Sequence, residues 1–324
     1  MPSEAIAITG ASGFIGGAIL ARLRELGVPV VGLFRPGRGG ALPPTMRREV
    51  RGWNEVALRS ALDGVGVVVH AASVVHRPGV GLAEHRAFNV EGTRSLIAAA
   101  RGAGVRRVVF LSTIKVYGEA PTGIIDENTV IDGSSPYAAT KHDAEQALQE
   151  AAVKGDIAVV IFRLCPVYGT GDKGNVRRMT SAIARRRFVV PGDGATRKSI
   201  VHVSTVVEAV RLSLRADIQG TFVLSDRAAP SIRELADTIA SVLGRRRPPS
   251  IPIALVLAAA AALESGARMM RRSPTTTVEL VRKSLRSTVC SPTRVERALG
   301  IECHVDLRHG VEQEVSWLRR EGLL

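Results

Sequence analysis

A tyrosine and a lysine stand four residues apart in "PYAATK", with only small residues between Tyr137 and Lys141. On a helix that spacing is about one turn, so both side chains leave the same face. A phenol titrates near 10 when free, and it can pass a proton near neutral pH only if a nearby cation stabilises its anion. In isolation the pair reads as a half-buried packing residue beside a surface charge. Two further features stand with it. "VVFLSTIKVYG" (108–118) ends a β-rich run with the hydroxyls of Ser112 and Thr113, and "TGASGFIG" sets Gly10, Gly13 and Gly16 between an apolar run and an apolar helix. Glycines there permit a tight turn and let backbone N–H groups approach a pyrophosphate at the helix N-terminus. Ser12, Phe14 and Ile15 lie in the same stretch and are expected to line a bound dinucleotide, against the alternative of a plain turn.

These residues need elements to hold them. "AIAIT" (5–9), "VPVVGLF" (28–34), "GVVVHAA" (66–72), "RVVFLST" (107–113) and "IAVVIFRL" (157–164) are compact, β-branched runs of the kind buried on both faces of a sheet. Helical stretches lie between them: Ile15–Leu26, Asn89–Ala103 and Pro136–Val153. Ser134 or Ser135 can cap the last, and Pro136 suits its first turn. The alternation predicts an α/β chain with a doubly wound parallel sheet. After about residue 165 the rhythm loosens into Gly- and Pro-rich loops and Arg-rich helices. We therefore expect residues 1–165 to form the dinucleotide-binding domain, and 166–324 to form mainly a smaller C-terminal substrate-binding lobe with some segments returning to the first domain. No internal repeat is evident, and the stretch from Pro274 onward suggests no chemistry.

The chain has 324 residues, 45% hydrophobic, and a net charge of +14. That charge suits an anionic small-molecule substrate, and it would equally suit a nucleic acid or an acidic surface. The basic residues are scattered, however. Arg185-Arg186-Arg187, Arg245-Arg246-Arg247 and Arg271-Arg272 are short runs, and aromatics are only 4% of the chain, so no nucleic-acid partner is expected and the runs read as solvated faces. Cys165, Cys290 and Cys303 are odd in number and widely spaced, which predicts neither disulfides nor a metal site and fits a reduced, cytoplasmic setting. "MPSEAIAITGASG" carries Glu4 and no basic n-region, unlike a signal peptide. The most apolar segment, Ile251–Leu263, falls short of the roughly 20 residues that span a bilayer. No membrane span is expected, and the segment reads as a buried or subunit-facing helix.

Together the Gly-rich loop, "VVVHAAS" (67–73), Asn89 in "NVEGT", Ser112-Thr113 and "YAATK" resemble the extended short-chain dehydrogenase/reductase family, in its branch of nucleotide-sugar epimerases, dehydratases and ketoreductases. "RLCPVYGTGDKGN" (163–175), "GDGATRKSIVHV" (192–203) and "ALGIECHVDLRHGVEQEVSWL" (298–318) extend the resemblance over nearly the whole chain. It implies a Rossmann fold with bound NAD or NADP, and Thr113, Tyr137 and Lys141 as catalytic residues. Thr113 would orient the reacting oxygen, Tyr137 would carry its proton, and Lys141 would lower the phenol pKa and hold the nicotinamide ribose. Ala71, Ala72, Ser73, Asn89 and Ser112 would line the cofactor site, with Asn89 completing a proton relay or merely capping a helix. A homodimer is a further family expectation.

Departures from the family pattern narrow the reading. The dehydratases carry an Asp-Glu pair after the catalytic threonine, where this chain has Ile114-Lys115, which argues against a 4,6-dehydratase. Phe34-Arg35 ends the second strand without the carboxylate of an NAD site, and Arg35 tips the choice towards NADP through a 2′-phosphate. Gly52-Trp53 replaces the family's adenine-facing Gly-Asp, so adenine would be held by backbone or stacking. Ser204-Thr205 replaces a pair of acids. Arg197 matches the family arginine that grips a diphosphate, with Asn175 and Lys173 as weaker candidates, and His202 reads as a packing histidine. The expected function is hydride transfer at C4 of a UDP- or dTDP-sugar, by an epimerase or a 4-ketoreductase. The alternatives are an NADPH-dependent reductase of a steroid- or flavanone-like ketone, or a non-catalytic dinucleotide sensor.

Overall fold

The computed structural model describes residues 4–39, 42–74, 81–118, 123–133, 135–215, 217–270 and 277–324. Ser134, Arg271, Arg272 and Pro274 lie outside the described residues. Strands β1 (Ala5–Thr9), β2 (Val30–Phe34), β3 (Arg47–Glu49), β4 (Val65–His70), β5 (Arg107–Thr113), β7 (Ala158–Leu164) and β11 (Gly220–Leu224) form one parallel sheet, in the order β11-β7-β5-β4-β1-β2-β3. This is the doubly wound sheet that the apolar runs predict. Successive side chains point to opposite faces. Ile6, Ile8, Val67, Val69, Val109 and Phe162 enter one core cluster, while Ala7, Val68, Val108, Phe110 and Ile161 enter the other. Each such burial contributes about 1.5–3 kcal/mol for a large aliphatic side chain.

Helices cover both faces. α1 (Phe14–Glu25) and α7 (Val203–Ser213) pack together on one, and α2 (Glu55–Ala61), α4 (Gly92–Gly102) and α5 (Pro136–Val153) on the other. The chain winds outward from β1 through β2 to β3, then returns to β4 on the opposite side of β1 and continues to β5, β7 and β11. The direction therefore reverses between β1 and β4, the crevice where such sheets bind ligands. The helix expected over Asn89–Ala103 starts differently. A short α3 (Leu82–His85) runs into a π-helical turn, Arg86–Glu91, and only then into α4.

A third cluster, including Tyr168, Val176, Ile183, Ile239, Val311 and Val315, lies among α6 (Asn175–Ala184), α8 (Ile232–Leu243) and α12 (Leu307–Arg320). Three two-stranded parallel ribbons stitch the second half together: β6 (Ile124–Ile125) with β13 (Val289–Cys290), β8 (Val167–Tyr168) with β10 (Val201–His202), and β9 (Val190–Pro191) with β12 (Ser250–Ile251). α11 (Thr293–Leu299) packs against β11. The apolar segment forms α9 (Ile253–Met269), which packs chiefly on α10 (Val278–Ser284). Of the two expected fates, buried or subunit-facing, it does not take burial within the chain. Only Ala260 is buried, and Leu255 and Leu263 are 60% and 64% exposed, because among the described residues little besides α10 packs against it. No helix among the described residues is long and apolar enough to cross a membrane.

Candidate active site

The carboxyl ends of β1, β4 and β5 meet beside the first turns of α1 and α5. After β1, Gly10 takes φ +69°, and a Cβ there would sit 2.8–2.9 Å from the backbone of Ala71 and Ala72. A Cβ at Gly13 would approach the Gly10 carbonyl oxygen to 3.1 Å, and one at Gly16 would collide with it. The glycines thus let two loops and a helix close on one another. No side chain caps α1 at Gly13, and its first turn holds no acidic residue. That leaves first-turn N–H groups, with the positive end of the helix dipole, for an anionic group. The cradle fits a dinucleotide pyrophosphate.

A buried polar chain runs beneath this loop. Thr9 Oγ1 accepts from the Ala72 N–H (3.1 Å) and bonds His70 Nδ1 (2.7 Å), while His70 Nε2 reaches Thr93 Oγ1 (3.2 Å) and Thr93 donates to the Asn89 carbonyl (2.6 Å). Burial, helped by the Lys141 charge, pushes His70 down to about 3, so the ring is neutral and serves as a brace. Asn89 lies inside the π turn, which overturns its reading as a cap. Its amide accepts from Val74 N (2.9 Å) and Ser73 Oγ (3.1 Å) and donates to the Val74 carbonyl (3.2 Å) and Thr140 Oγ1 (3.3 Å). Asn89 therefore brackets the loop after β4 to α5. Trp53 turns inward to stack on Phe88 (5.3 Å) and His70 (6.1 Å).

α5 starts as its sequence suggests, with Ser135 Oγ accepting from Ala138 N (3.2 Å) and Pro136 in the first turn. Tyr137 is half-buried, its ring 5.9 Å from that of His85 and its hydroxyl close to Ser73. Burial pushes it up to about 12, with Ser73 opposing the shift. Lys141 is buried. Its Nζ donates to the Leu111 carbonyl (2.7 Å) and lies 3.8 Å from the centre of the Phe110 ring. Burial brings the ammonium down to about 7, with Glu145 opposing the shift. Lys141 is thus fastened to β5 two residues before Thr113, which stays partly exposed and accepts from Lys115 N (3.3 Å) at a 3-10 turn, Ile114–Tyr117.

One more turn down the same face lies Glu145, fully buried. It takes the Ser112 hydroxyl and a fork from Arg163 of β7, Nη2 to Oε2 at 2.7 Å, and Arg163 Nη1 also donates to the Tyr117 hydroxyl (2.7 Å). Burial raises the Glu145 carboxyl, but nearby His142 (Nδ1 at 3.7 Å), the hydrogen bonds from Arg163 and Ser112 and the Arg163 charge outweigh it, holding the group below the usual carboxylate range. The expectation that Ser112 lines the cofactor does not describe its side chain, because this carboxylate takes the hydroxyl into the seam between sheet and helix. Glu145 was legible as a third step after Tyr137 and Lys141. His70 and His85 were missed too, and His70's one signal was to interrupt a run of valines.

The other expected positions are more scattered. Arg35 is exposed at the end of β2, close to a cavity of about 330 Å³ whose walls include Ser12, Phe34 and Leu42. Asn175 and Lys173 are exposed, and Asn175 Oδ1 accepts from Arg178. Arg197 is exposed, its Nε donating to the Ala229 carbonyl (3.0 Å). None of these four joins the hydrogen-bonded set around Tyr137. The loop after β8 does touch the cofactor cradle, since a Cβ on Gly171 would come within 3.0 Å of the Phe14 ring. Buried Asp172 shapes that loop by accepting from the N–H groups of Gly174 and Arg177. His202 packs as expected, edge-on to Tyr168 at 5.0 Å, and burial pushes it down to about 4. Asp226 bonds Thr205 (2.8 Å) and the His202 N–H (2.9 Å). Among the described residues, no cluster of three or more His, Cys, Asp or Glu could hold a metal.

This arrangement can bind a dinucleotide and move a proton at a tyrosine, and the whole chain is similar to known proteins. Residues 6–224 match the model of the NAD dependent epimerase/dehydratase family. The chain is 30% identical over 200 residues, 60% of each chain, to the N-acetyl-alpha-D-glucosaminyl-diphospho-ditrans,octacis-undecaprenol 4-epimerase of Escherichia coli O157:H7. It is 29% identical to the 4-hydroxy-2-methyl-3-oxo-4-farnesyl-3,4-dihydroquinoline-1-oxide ketoreductase of Stigmatella aurantiaca, over 73% of this chain and 72% of that one. The solved structure of MoeE5 in complex with UDP-glucuronic acid and NAD superposes with a TM-score of 0.77 at 29% identity, covering 98% of this chain and 99% of that one. The chain belongs to the NAD dependent epimerase/dehydratase family and is an NAD(P)-dependent enzyme of the extended short-chain dehydrogenase/reductase type.

Proposed function

We propose that the enzyme transfers a hydride at C4 of a nucleoside-diphosphate sugar, a UDP- or dTDP-sugar, as a 4-epimerase or a 4-ketoreductase and not as a 4,6-dehydratase. The observation that carries the reading is the succession Tyr137, Lys141, Glu145 down one face of α5, with the Lys141 ammonium fastened to β5 just before Thr113. When bound, the nicotinamide takes up or returns the hydride of the sugar carbon. Tyr137 Oη carries the proton of the C4 oxygen and Thr113 Oγ1 orients that oxygen. Lys141 stabilises the phenolate and holds the nicotinamide ribose. Ile114 and Lys115 bring no carboxylate beside Thr113 to drive elimination. Arg197, with only Nε engaged, keeps both Nη groups for phosphate, and Asn175 and Lys173 stand as its helpers. The UDP-sugar held by MoeE5 and the sugar diphosphate in the E. coli relative's name support this substrate class.

Arg35 favours NADP through a 2′-phosphate, whereas MoeE5 holds NAD. The same reading assigns residues 1–165 to the dinucleotide, 166–324 mainly to the substrate, and a cytoplasmic homodimer to the whole. The test is to denature fresh protein, identify any released dinucleotide by mass spectrometry, and assay UDP- and dTDP-sugars with wild type and Tyr137→Phe. Retained NAD with interconversion of C4 epimers supports the epimerase, and NADPH consumption on a 4-keto sugar supports the reductase. Turnover unchanged in Tyr137→Phe sinks both. A second reading, reduction of a lipophilic ketone, is favoured by the exposed place of Arg197 outside the Tyr137 set and by the Stigmatella relative. Arg197→Ala separates them, raising KM for a sugar nucleotide at least about tenfold by loss of a charge-assisted phosphate contact or leaving ketone reduction untouched.

A further inference from the structure

Two arginine triplets far apart in sequence arrive at one place. Arg185–Arg187 end two residues before β9 and Arg245–Arg247 two residues before β12, and these strands pair in parallel, Ser250 with Val190 and Ile251 with Pro191. Parallel pairing brings both triplets to the same end of the ribbon. Arg186, Arg245, Arg246 and Arg247 line a cavity of about 560 Å³ floored by Phe188 and Pro248. All six arginines are exposed. Arg186 has φ 58°, the only positive φ of a non-glycine among the described residues, a conformation that usually has a local reason. Among the described residues, the only carboxylate within reach of these six is Asp237, 3.8 Å from Arg247. So dense an array of uncompensated cations is built for anions.

From the other end of the same ribbon the chain enters α9, and from Pro248 to Leu263 it holds no charged residue. Exposed Ile253, Leu255, Leu263, Met269 and Met270 leave an open apolar flank on a helix of 17 residues, about 25 Å long. Glu264 is occupied by Arg268 and by the N–H of Val278. A helix too short to span, uncharged from Ile253 to Leu263 and with its Glu264 neutralised by Arg268, is suited to lie in a bilayer interface with the arginine triplets at the headgroups. We propose that α9 and the two arginine triplets form a docking surface for a bilayer bearing anionic headgroups. The surface stands apart from Tyr137 and Lys141, and its existence does not depend on which substrate the enzyme takes.

The test uses the full chain and vesicles of phosphatidylcholine, with or without phosphatidylglycerol, read by co-sedimentation. Selective binding to the anionic vesicles, released by added salt, is expected. Arg245→Ala/Arg246→Ala/Arg247→Ala should weaken partitioning by on the order of a hundredfold. Leu255→Glu/Leu263→Glu should weaken it by at least about tenfold. Both variants should retain the wild-type melting temperature and dinucleotide binding. Absence of binding, equal binding to neutral vesicles, or binding that survives both variants overturns the proposal. So does a Leu255→Glu/Leu263→Glu protein that dissociates from dimer to monomer with vesicle binding intact, since a second copy would then cover the face.

Discussion

Tyr137 must become an anion to accept a proton, yet in the cofactor-free protein burial holds it near 12. Bringing the phenol down to about 7 requires about 7 kcal/mol of extra stabilisation of the phenolate. Lys141 and the positive charge of an oxidised nicotinamide are the two sources at hand, and neither suffices alone, because Lys141, brought down to about 7, is itself only half charged near neutrality. The chain has three tyrosines. Tyr117 is also pushed up to about 12 by burial, and Tyr168 higher still. Protein stripped of dinucleotide should therefore show no tyrosinate absorbance between pH 7 and about 10. Adding NAD+ should bring one tyrosinate into that window, read by difference absorbance, and Tyr137→Phe should abolish the step. Lys141→Met should push the step beyond pH 10 and lower kcat by about 100- to 10,000-fold. A step without cofactor, or one that survives in Tyr137→Phe, refutes the reasoning.

Removing Glu145 strands Arg163 in the core, which costs about 3–5 kcal/mol. With about 0.7 kcal/mol/K of unfolding entropy for a chain this long, Glu145→Gln should lower Tm by about 4–7 °C, and Glu145→Gln/Arg163→Met should recover part of the loss. Because the Glu145 carboxyl is held low, its stabilisation is present above the ordinary carboxylate range and fades as pH falls through the folded value. Glu314 has the opposite sign. Burial and nearby Asp172 raise it to about 8, so stability should decline as pH climbs from about 4.5 towards 8, and Glu314→Gln should flatten that decline in a thermal-shift series. Gly10→Ala should weaken dinucleotide binding more than tenfold in calorimetry, since the methyl adds a clash with Ala71 and Ala72 to a left-handed penalty of about 1–2 kcal/mol. Gly27→Ala, at φ +68° with nothing nearby, should lower stability and leave binding unchanged.

The sheet was readable because strands covered on both faces need β-branched residues at every position, and "VVVHAAS" or "IAVVIFRL" admit few other readings. Tyr137 and Lys141 were readable because helical spacing alone puts them on one face. The π turn at Arg86–Glu91 was not, because nothing in local composition separates one extra residue per turn from an ordinary helix start. For α9 the sequence left burial and a subunit-facing place both open, because apolar composition reports a preference for burial while burial itself depends on whether a partner layer exists. The meeting of the two arginine triplets depends on a ribbon two residues wide, too short to leave a periodicity. Arg163 and Glu145 attract each other only after β7 and α5 have been laid side by side.

β11 closes one edge of the main sheet, although it lies well inside the stretch assigned to the substrate side. A fragment ending at Cys165 would leave β7, Ala158–Leu164, as the outermost strand, an aliphatic row with unpaired backbone groups on one side. Such an edge recruits other chains, so the fragment should collect in inclusion bodies. Genetic exchange of substrate segments between relatives would have to keep both β7 and β11 in register. New specificities are then easier to reach by altering the stretch between those strands than by fusing a foreign tail.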